Sequence, residues 1–145
     1  MIYLGADHAG FALKEELKKY LAKVSREEIV DVGSFDPGSK DDYPDYARLV
    51  ARGVQKSRKN KGILICGTGT GMVIAANKFR GIRAACAYDD YTARMSRLHN
   101  DANILCLRGR GMSGAKQKTL VRIWLSTPFS GHARHRRRVA KISRL

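Results

Sequence analysis

Acidic side chains are scarce in this sequence. Thirteen Asp and Glu stand against 28 Lys and Arg among 145 residues, a formal net charge of +15. Aromatics are sparse as well, at 8% with a single Trp, and there are three Pro and three Cys. No apolar run approaches the ~20 residues that a membrane-crossing helix needs, so no helical span is expected. The opening MIYLGADHAG has no basic segment leading into a long apolar core, which argues against a secretory signal and for a cytoplasmic address. Cys66, Cys86 and Cys106 form no CxxC pair and have no His at zinc spacing, so neither a bound metal nor a disulfide framework is expected. Basic clusters such as KEELKK, KSRKNK and RHRRR are scattered and poor in aromatics. No zinc finger, helix-turn-helix or RNA-binding aromatic signature accompanies them. Such a charge favours anionic partners; a small phosphorylated ligand suits it better than a nucleic acid does.

What is present is an alternation of short apolar runs and amphipathic stretches. Ile2–Ala6, Ile29–Val32, Gly62–Cys66, Ile82–Ala87 and Asn103–Leu107 read as strands, nearly continuous in apolar residues as in a parallel sheet covered on both faces. Phe11–Lys23, Tyr46–Lys56, Met72–Phe79, Tyr91–Leu98 and Ala115–Leu125 read as helices. In the first, Phe11, Leu13, Leu17, Tyr20, Leu21 and Val24 are expected to face the core, with Lys14, Glu15, Lys18 and Lys19 outward. Strand–helix alternation predicts an α/β fold with a five-stranded parallel sheet between two helical layers. Gly131–Leu145 reads as a basic helical extension after Ser126–Thr127–Pro128. No linker divides the chain, so residues 1–145 are expected to form one domain. The 20-residue spacing of the cysteines matches a βα unit, and Cys86 and Cys106 read as packing residues.

Ligands of open α/β sheets bind beyond the carboxyl ends of the strands, and three loops read as candidates there. After the first strand, Asp7 is either a helix cap or, beside His8, one of two titratable groups able to handle hydroxyl protons or a phosphate. After the third apolar run comes Cys66–Gly67–Thr68–Gly69–Thr70–Gly71, whose alternating glycines let several backbone amides turn toward one point. A dinucleotide loop would need glycine at Met72, although Asp89 and Asp90 lie at a suitable distance for a ribose contact. An oxyanion hole suits the loop better. Moving a proton between adjacent sugar carbons passes through an enediolate, whose charge needs donors already in place. Cys66 at the rim would meet the same amide field, which favours its thiolate, and the Thr68 hydroxyl could relay a proton between two sugar oxygens. The third loop holds His99 and Asn100, either a helix terminus or an acid/base pair for ring opening and hydroxyl binding. Arg110, with Arg134 and Arg138 one helical turn apart, could supply guanidinium forks for a phosphate.

The stretches GADHAGFALKEEL, DYPDYA, GILICGTGTGMVIAANKFRGIRAA, SRLHNDANILCL and STPFSGHARHRRRV resemble the ribose-5-phosphate isomerase B family, which includes allose- and galactose-6-phosphate isomerases. The resemblance implies a Rossmann-like three-layer α/β/α sandwich, no cofactor and no metal. It also implies a homodimer or tetramer with shared active sites, the C-terminal extension embracing the neighbour. The implied reaction interconverts D-ribose 5-phosphate and D-ribulose 5-phosphate in the pentose phosphate pathway, a six-carbon sugar phosphate being the alternative substrate. Position by position, Cys66 matches the family's base, Thr68 the hydroxyl beside it, and Gly67 to Gly71, including Gly69 and Thr70, its anion hole. Asp7, His99 and Asn100 fall on ring-opening and sugar-contacting positions, and His8, Arg110, Arg134 and Arg138 on phosphate-binding ones. At Arg108–Gly109–Arg110–Gly111 the chain departs from the family, which usually has glycine at the first place, so Arg108 competes for the phosphate role.

Overall fold

A computed structural model describes all 145 residues. The strands are β1 (Ile2–Ala6), β2 (Ile29–Asp31), β3 (Lys61–Cys66), β4 (Ala84–Cys86) and β5 (Ile104–Arg108). All pair in parallel, in the order β2-β1-β3-β5-β4. Helices α1 (Phe11–Val24), α2 (Tyr43–Gln55), α3 (Thr70–Ala76), α4 (Asp90–Asn100), α5 (Gly114–Ser126) and α6 (Ala133–Ile142) complete the chain. This is the expected Rossmann-like α/β/α arrangement.

Alternate residues of each central strand feed two cores, as the strand period requires. Ile63, Ile65, Leu105 and Leu107 pack with Leu13, Leu17 and Leu21 of α1, Ala93 of α4, and Leu120, Val121 and Trp124 of α5. On the other face Leu64, Cys66, Ile104 and Cys106 pack with Ala47, Val50 and Val54 of α2 and with Met72 and Ala76 of α3. The last helix, α6, lies against α4 and buries one side chain, His135. No helix is long and apolar enough to cross a membrane.

Two positions on α1 differ from the sequence expectation. Val24 is exposed, at the helix end, whereas Lys14, expected outward, is completely buried. Its ammonium lies 2.8 Å from Asp31 and 2.8 Å from Glu15, while Lys18 reaches the same Asp31 at 2.7 Å. Asp31 arrives from β2, so α1 alone gives no sign that the lysine has a partner. Burial alone would push the Asp31 carboxyl up, but Lys14, Lys18 and the Gly33 N–H outweigh it and hold Asp31 below its ordinary value. A carboxylate with a depressed folded value contributes stability above the unfolded carboxylate range near ~4, and that contribution is lost as pH falls through the lower folded value. Asp31→Ala, which leaves the buried Lys14 ammonium with only the half-exposed Glu15 as partner, is expected to cost about 3 kcal/mol in urea unfolding at pH 7. The cost should shrink in acid.

Other differences are at element ends. β4 is shorter than Ile82–Ala87, and α2 starts at Tyr43 with Pro44 in its first turn, where the missing N–H costs nothing. α3 begins at Thr70, inside the glycine loop, because Gly69 takes the left-handed conformation (φ 83°) that turns the chain from strand to helix.

Candidate active site

The carboxyl ends of β1, β3 and β5 converge. Gly109 N donates to Cys66 O at 2.7 Å and Arg110 N to Gly67 O at 3.2 Å, so the 109–111 loop is fastened to the glycine loop. Gly10 lies so close to β3 that a Cβ there would meet Ile65 O at 2.6 Å. That approach holds the 7–10 loop against the end of the strand.

Cys66 closes β3 and is 5% exposed. Its sulfur accepts the Gly69 N–H at 3.1 Å, so the thiol stands against the glycine loop. Thr68 and Thr70 are exposed at the loop's outer side, and Gly69 is buried. The space behind Gly69 is filled by Cys86, whose sulfur a Cβ on Gly69 would meet at 2.8 Å. Burial pushes the Cys86 thiol up and, deeper in the sheet, the Cys106 thiol well up. Both suit the packing role read for them. Met72, at the place where a dinucleotide loop needs glycine, is fully buried in the core.

Asp7 is 6% exposed and accepts the Gly10 N–H at 3.0 Å, while Gly10 itself is the first residue flanking α1. Burial, opposed by the Gly10 N–H, raises its carboxyl above the ordinary value. His8 is exposed and its Nδ1 lies 2.8 Å from Asp41. The Arg110 side chain runs beside Gly67. Arg108, the rival, spends its Nε on the Arg110 carbonyl at 2.8 Å and packs on Gly111, so it braces the loop that carries Arg110.

His99, Asn100, Arg134 and Arg138 are elsewhere. In a parallel sheet a helix returns the chain to the amino ends of the strands, so the end of α4 lies at the opposite edge from Cys66. Asn103 O accepts the Gly62 N–H at 2.9 Å. That level is four residues upstream of Cys66, about 13 Å along the strand. The expectation that this loop sits beyond the strand carboxyl ends is therefore corrected: it enters a strand rather than leaving one. There His99 stacks on His135, ring centroids 4.3 Å apart, and His132 lies 5.8 Å from His135. His135 Nε2 accepts from Arg134 Nε at 3.2 Å, which leaves Nδ1 to donate to Ser130 Oγ at 2.6 Å. Burial first, then His99 and the neighbouring arginines, lowers the His135 imidazole. Arg134 and Arg138 are exposed on α6. Two concavities, of about 940 and 440 Å³, also lie at this amino edge, both lined by Arg80 to Arg83, and Asn100 lines the larger of the two.

One chain thus carries two clusters: Asp7, His8, Cys66, the glycine loop and Arg110 at one edge, and His99, Asn100, Arg134 and Arg138 at the other. Sequence reasoning missed three neighbours. Asp41 holds His8 from 33 residues away, Tyr43 lays its ring on Gly71, and His135 supports His99. Tyr43 and His135 had a signal, through the DYPDYA and STPFSGHARHRRRV stretches, and Asp41 had none. No group of three or more His, Cys, Asp or Glu is placed to hold a metal ion.

Comparison with known proteins places this geometry. The family model described as Ribose/Galactose Isomerase matches residues 2–142. The ribose 5-phosphate isomerase structure from Thermotoga maritima superposes with a TM-score of 0.93 at 46% identity, covering 99% of this chain and 97% of that one. Ribose-5-phosphate isomerase B from Mycoplasma genitalium, crystallised with ribulose-5-phosphate, gives 0.93 at 41% identity over 99% and 93% of the two chains. Ribose-5-phosphate isomerase B from Escherichia coli K12 is 42% identical over 142 residues, 98% of this chain and 93% of that one. A match of this extent in sequence and in backbone leaves one conclusion: the chain belongs to the ribose/galactose isomerase family, in the ribose-5-phosphate isomerase B group that its motifs resemble.

Proposed function

We propose that this protein interconverts D-ribose 5-phosphate and D-ribulose 5-phosphate in the cytoplasm, without a metal or cofactor, at a site completed by a second copy of the chain. The observation that carries the reading is the Cys66 sulfur at the end of β3, 3.1 Å from the Gly69 amide of the glycine loop. The bound ribulose-5-phosphate in the Mycoplasma genitalium relative supports the choice of substrate.

In this reading the phosphate lies between His8 and Arg110 of one protomer and Arg134 and Arg138 of its partner. Asp7 and the partner's His99 move the hydroxyl protons that open the furanose ring, and the partner's Asn100 holds a hydroxyl. Cys66, as thiolate, takes the proton from C2 of the open aldose. The electron pair of that C–H bond becomes the C1–C2 double bond, and the carbonyl pair moves onto O1. Amides of Gly67 to Gly71, Gly69 and Thr70 among them, face that oxyanion without reorganising. Thr68 passes a proton from O2 to O1, and the Cys66 thiol returns its proton to C1. The product is the ketose, and the enzyme ends as it began.

A site shared across a two-fold axis has a direct test. Cys66→Ala and His99→Asn each damage a different edge, so each homodimer has two broken sites. Mixed dimers carry one intact site. Equal mixing with subunit exchange should restore about a quarter of wild-type ribose 5-phosphate isomerisation. Mixtures as inactive as their components would remove the shared site. Allose 6-phosphate in the same assay checks the substrate: it should turn over more slowly, and equal turnover would make the five-carbon assignment too narrow.

A further inference from the structure

His8 does not stand free at the phosphate end of the site. Its backbone N–H donates to Asp41 Oδ1 at 2.9 Å, and its ring Nδ1 meets the same oxygen at 2.8 Å. Tyr46, on α2, donates its hydroxyl to Oδ2 at 2.9 Å. The Asp41 side chain is 12% exposed and the imidazole 40%. Burial would raise the Asp41 carboxyl, but the two His8 N–H groups, with the hydroxyls of Ser34 and Ser39, hold it well below the usual carboxylate range. The other titratable groups around this pair are Asp7 from the β1 loop and, from α2, Tyr46 with Asp45 beside it.

An ionised carboxylate accepts and cannot donate. Nδ1 must therefore carry a proton, and the atom left for a ligand is Nε2. A neutral ring would offer a phosphate oxygen a lone pair there. A protonated ring offers an N–H and a charge. We propose that Asp41 is a positioning residue of the phosphate subsite: it fixes the ring of His8 with Nδ1–H on the carboxylate, so that Nε2 faces the substrate's phosphate, and its negative charge supports the second proton, on Nε2, that a phosphate contact needs. This rests on the isomerase reading for the substrate, and on geometry alone for the grip on His8.

Asp41→Asn keeps an acceptor and removes the charge. The KM for ribose 5-phosphate and the Ki of inorganic phosphate as competitor should rise together by about 10-fold, the loss typical of one charge-assisted contact. Meanwhile kcat should stay within about threefold. Tyr46→Phe, which loosens Asp41 from outside, should move both constants the same way by about twofold and covers the case in which the first variant folds poorly. In a His8→Gln background, Asp41→Asn should change neither constant. Nitrogen-15 spectra of the imidazole read the grip without any activity: His8 should be Nδ1-protonated in the wild type and a tautomer mixture in Asp41→Ala, whatever the sugar substrate proves to be. Unchanged constants, a fall in kcat alone, or additivity with His8→Gln would overturn the proposal. So would a wild-type His8 protonated at Nε2 alone.

Discussion

Cys66→Ala is expected to lower kcat for ribose 5-phosphate isomerisation by at least ~10²–10⁴-fold, the range that a positioned general base supplies, while circular dichroism and the melting transition stay close to wild type. Cys66 is 5% exposed and packs in the core with Leu64, Met72 and Cys106, but loss of a single sulfur leaves only a small void, a cost of about 1 kcal/mol. The Gly69 N–H loses its sulfur acceptor as well. Activity and folding should thus separate. Cys86→Ala is the matched control: its thiol is raised by burial and fills the space against Gly69, so a change of rate there should come only through packing.

Gly69→Ala should have the second largest effect, for two reasons that act together. Gly69 holds φ at 83°, and a Cβ there would sit 2.8 Å from the Cys86 sulfur and 3.1 Å from Leu107 O. The backbone must therefore shift, at about 1–3 kcal/mol of stability. Any shift moves the amide that contacts Cys66 and, in the proposed mechanism, the oxyanion. Removal of one such donor costs ~10²–10³-fold in kcat. Gly81→Ala separates strain from site. It has a similar φ of 77°, and nothing lies within 4 Å of its added Cβ. It should lose about 1 kcal/mol with kcat within a few-fold of wild type. Equal losses of rate in both variants would mean that backbone strain alone, rather than the placement of the amide, sets the rate.

How much of this was legible beforehand depends on the distance over which each feature is determined. The strand from Ile2 to Ala6 was read to the residue because its apolar run is continuous and a glycine-rich loop ends it. The position of Cys66 against the glycine loop was legible because the alternating glycines follow it directly. Lys14 was misplaced because helix periodicity counts a lysine as outward, and its partner Asp31 comes from another strand. The start of α3 at Thr70 was missed because glycine discourages a helix reading, whereas here the left-handed Gly69 is what launches the helix. The placement of His99 and Asn100 was within reach, since every loop entering a parallel strand lies at the amino edge; local residue chemistry drew attention away from topology. The Asp41–His8 pair spans 33 residues with no periodic signal to join them.

The proton itself gives the most direct test. Wild-type protein incubated with ribose 5-phosphate in heavy water should place deuterium at C1 of the ribulose 5-phosphate formed and at C2 of the ribose 5-phosphate recovered. Cys66→Ala should place none at either carbon, although ribose 5-phosphate still raises its melting temperature. Deuterium entering at the wild-type rate without the sulfur would contradict the assignment of Cys66 as the base.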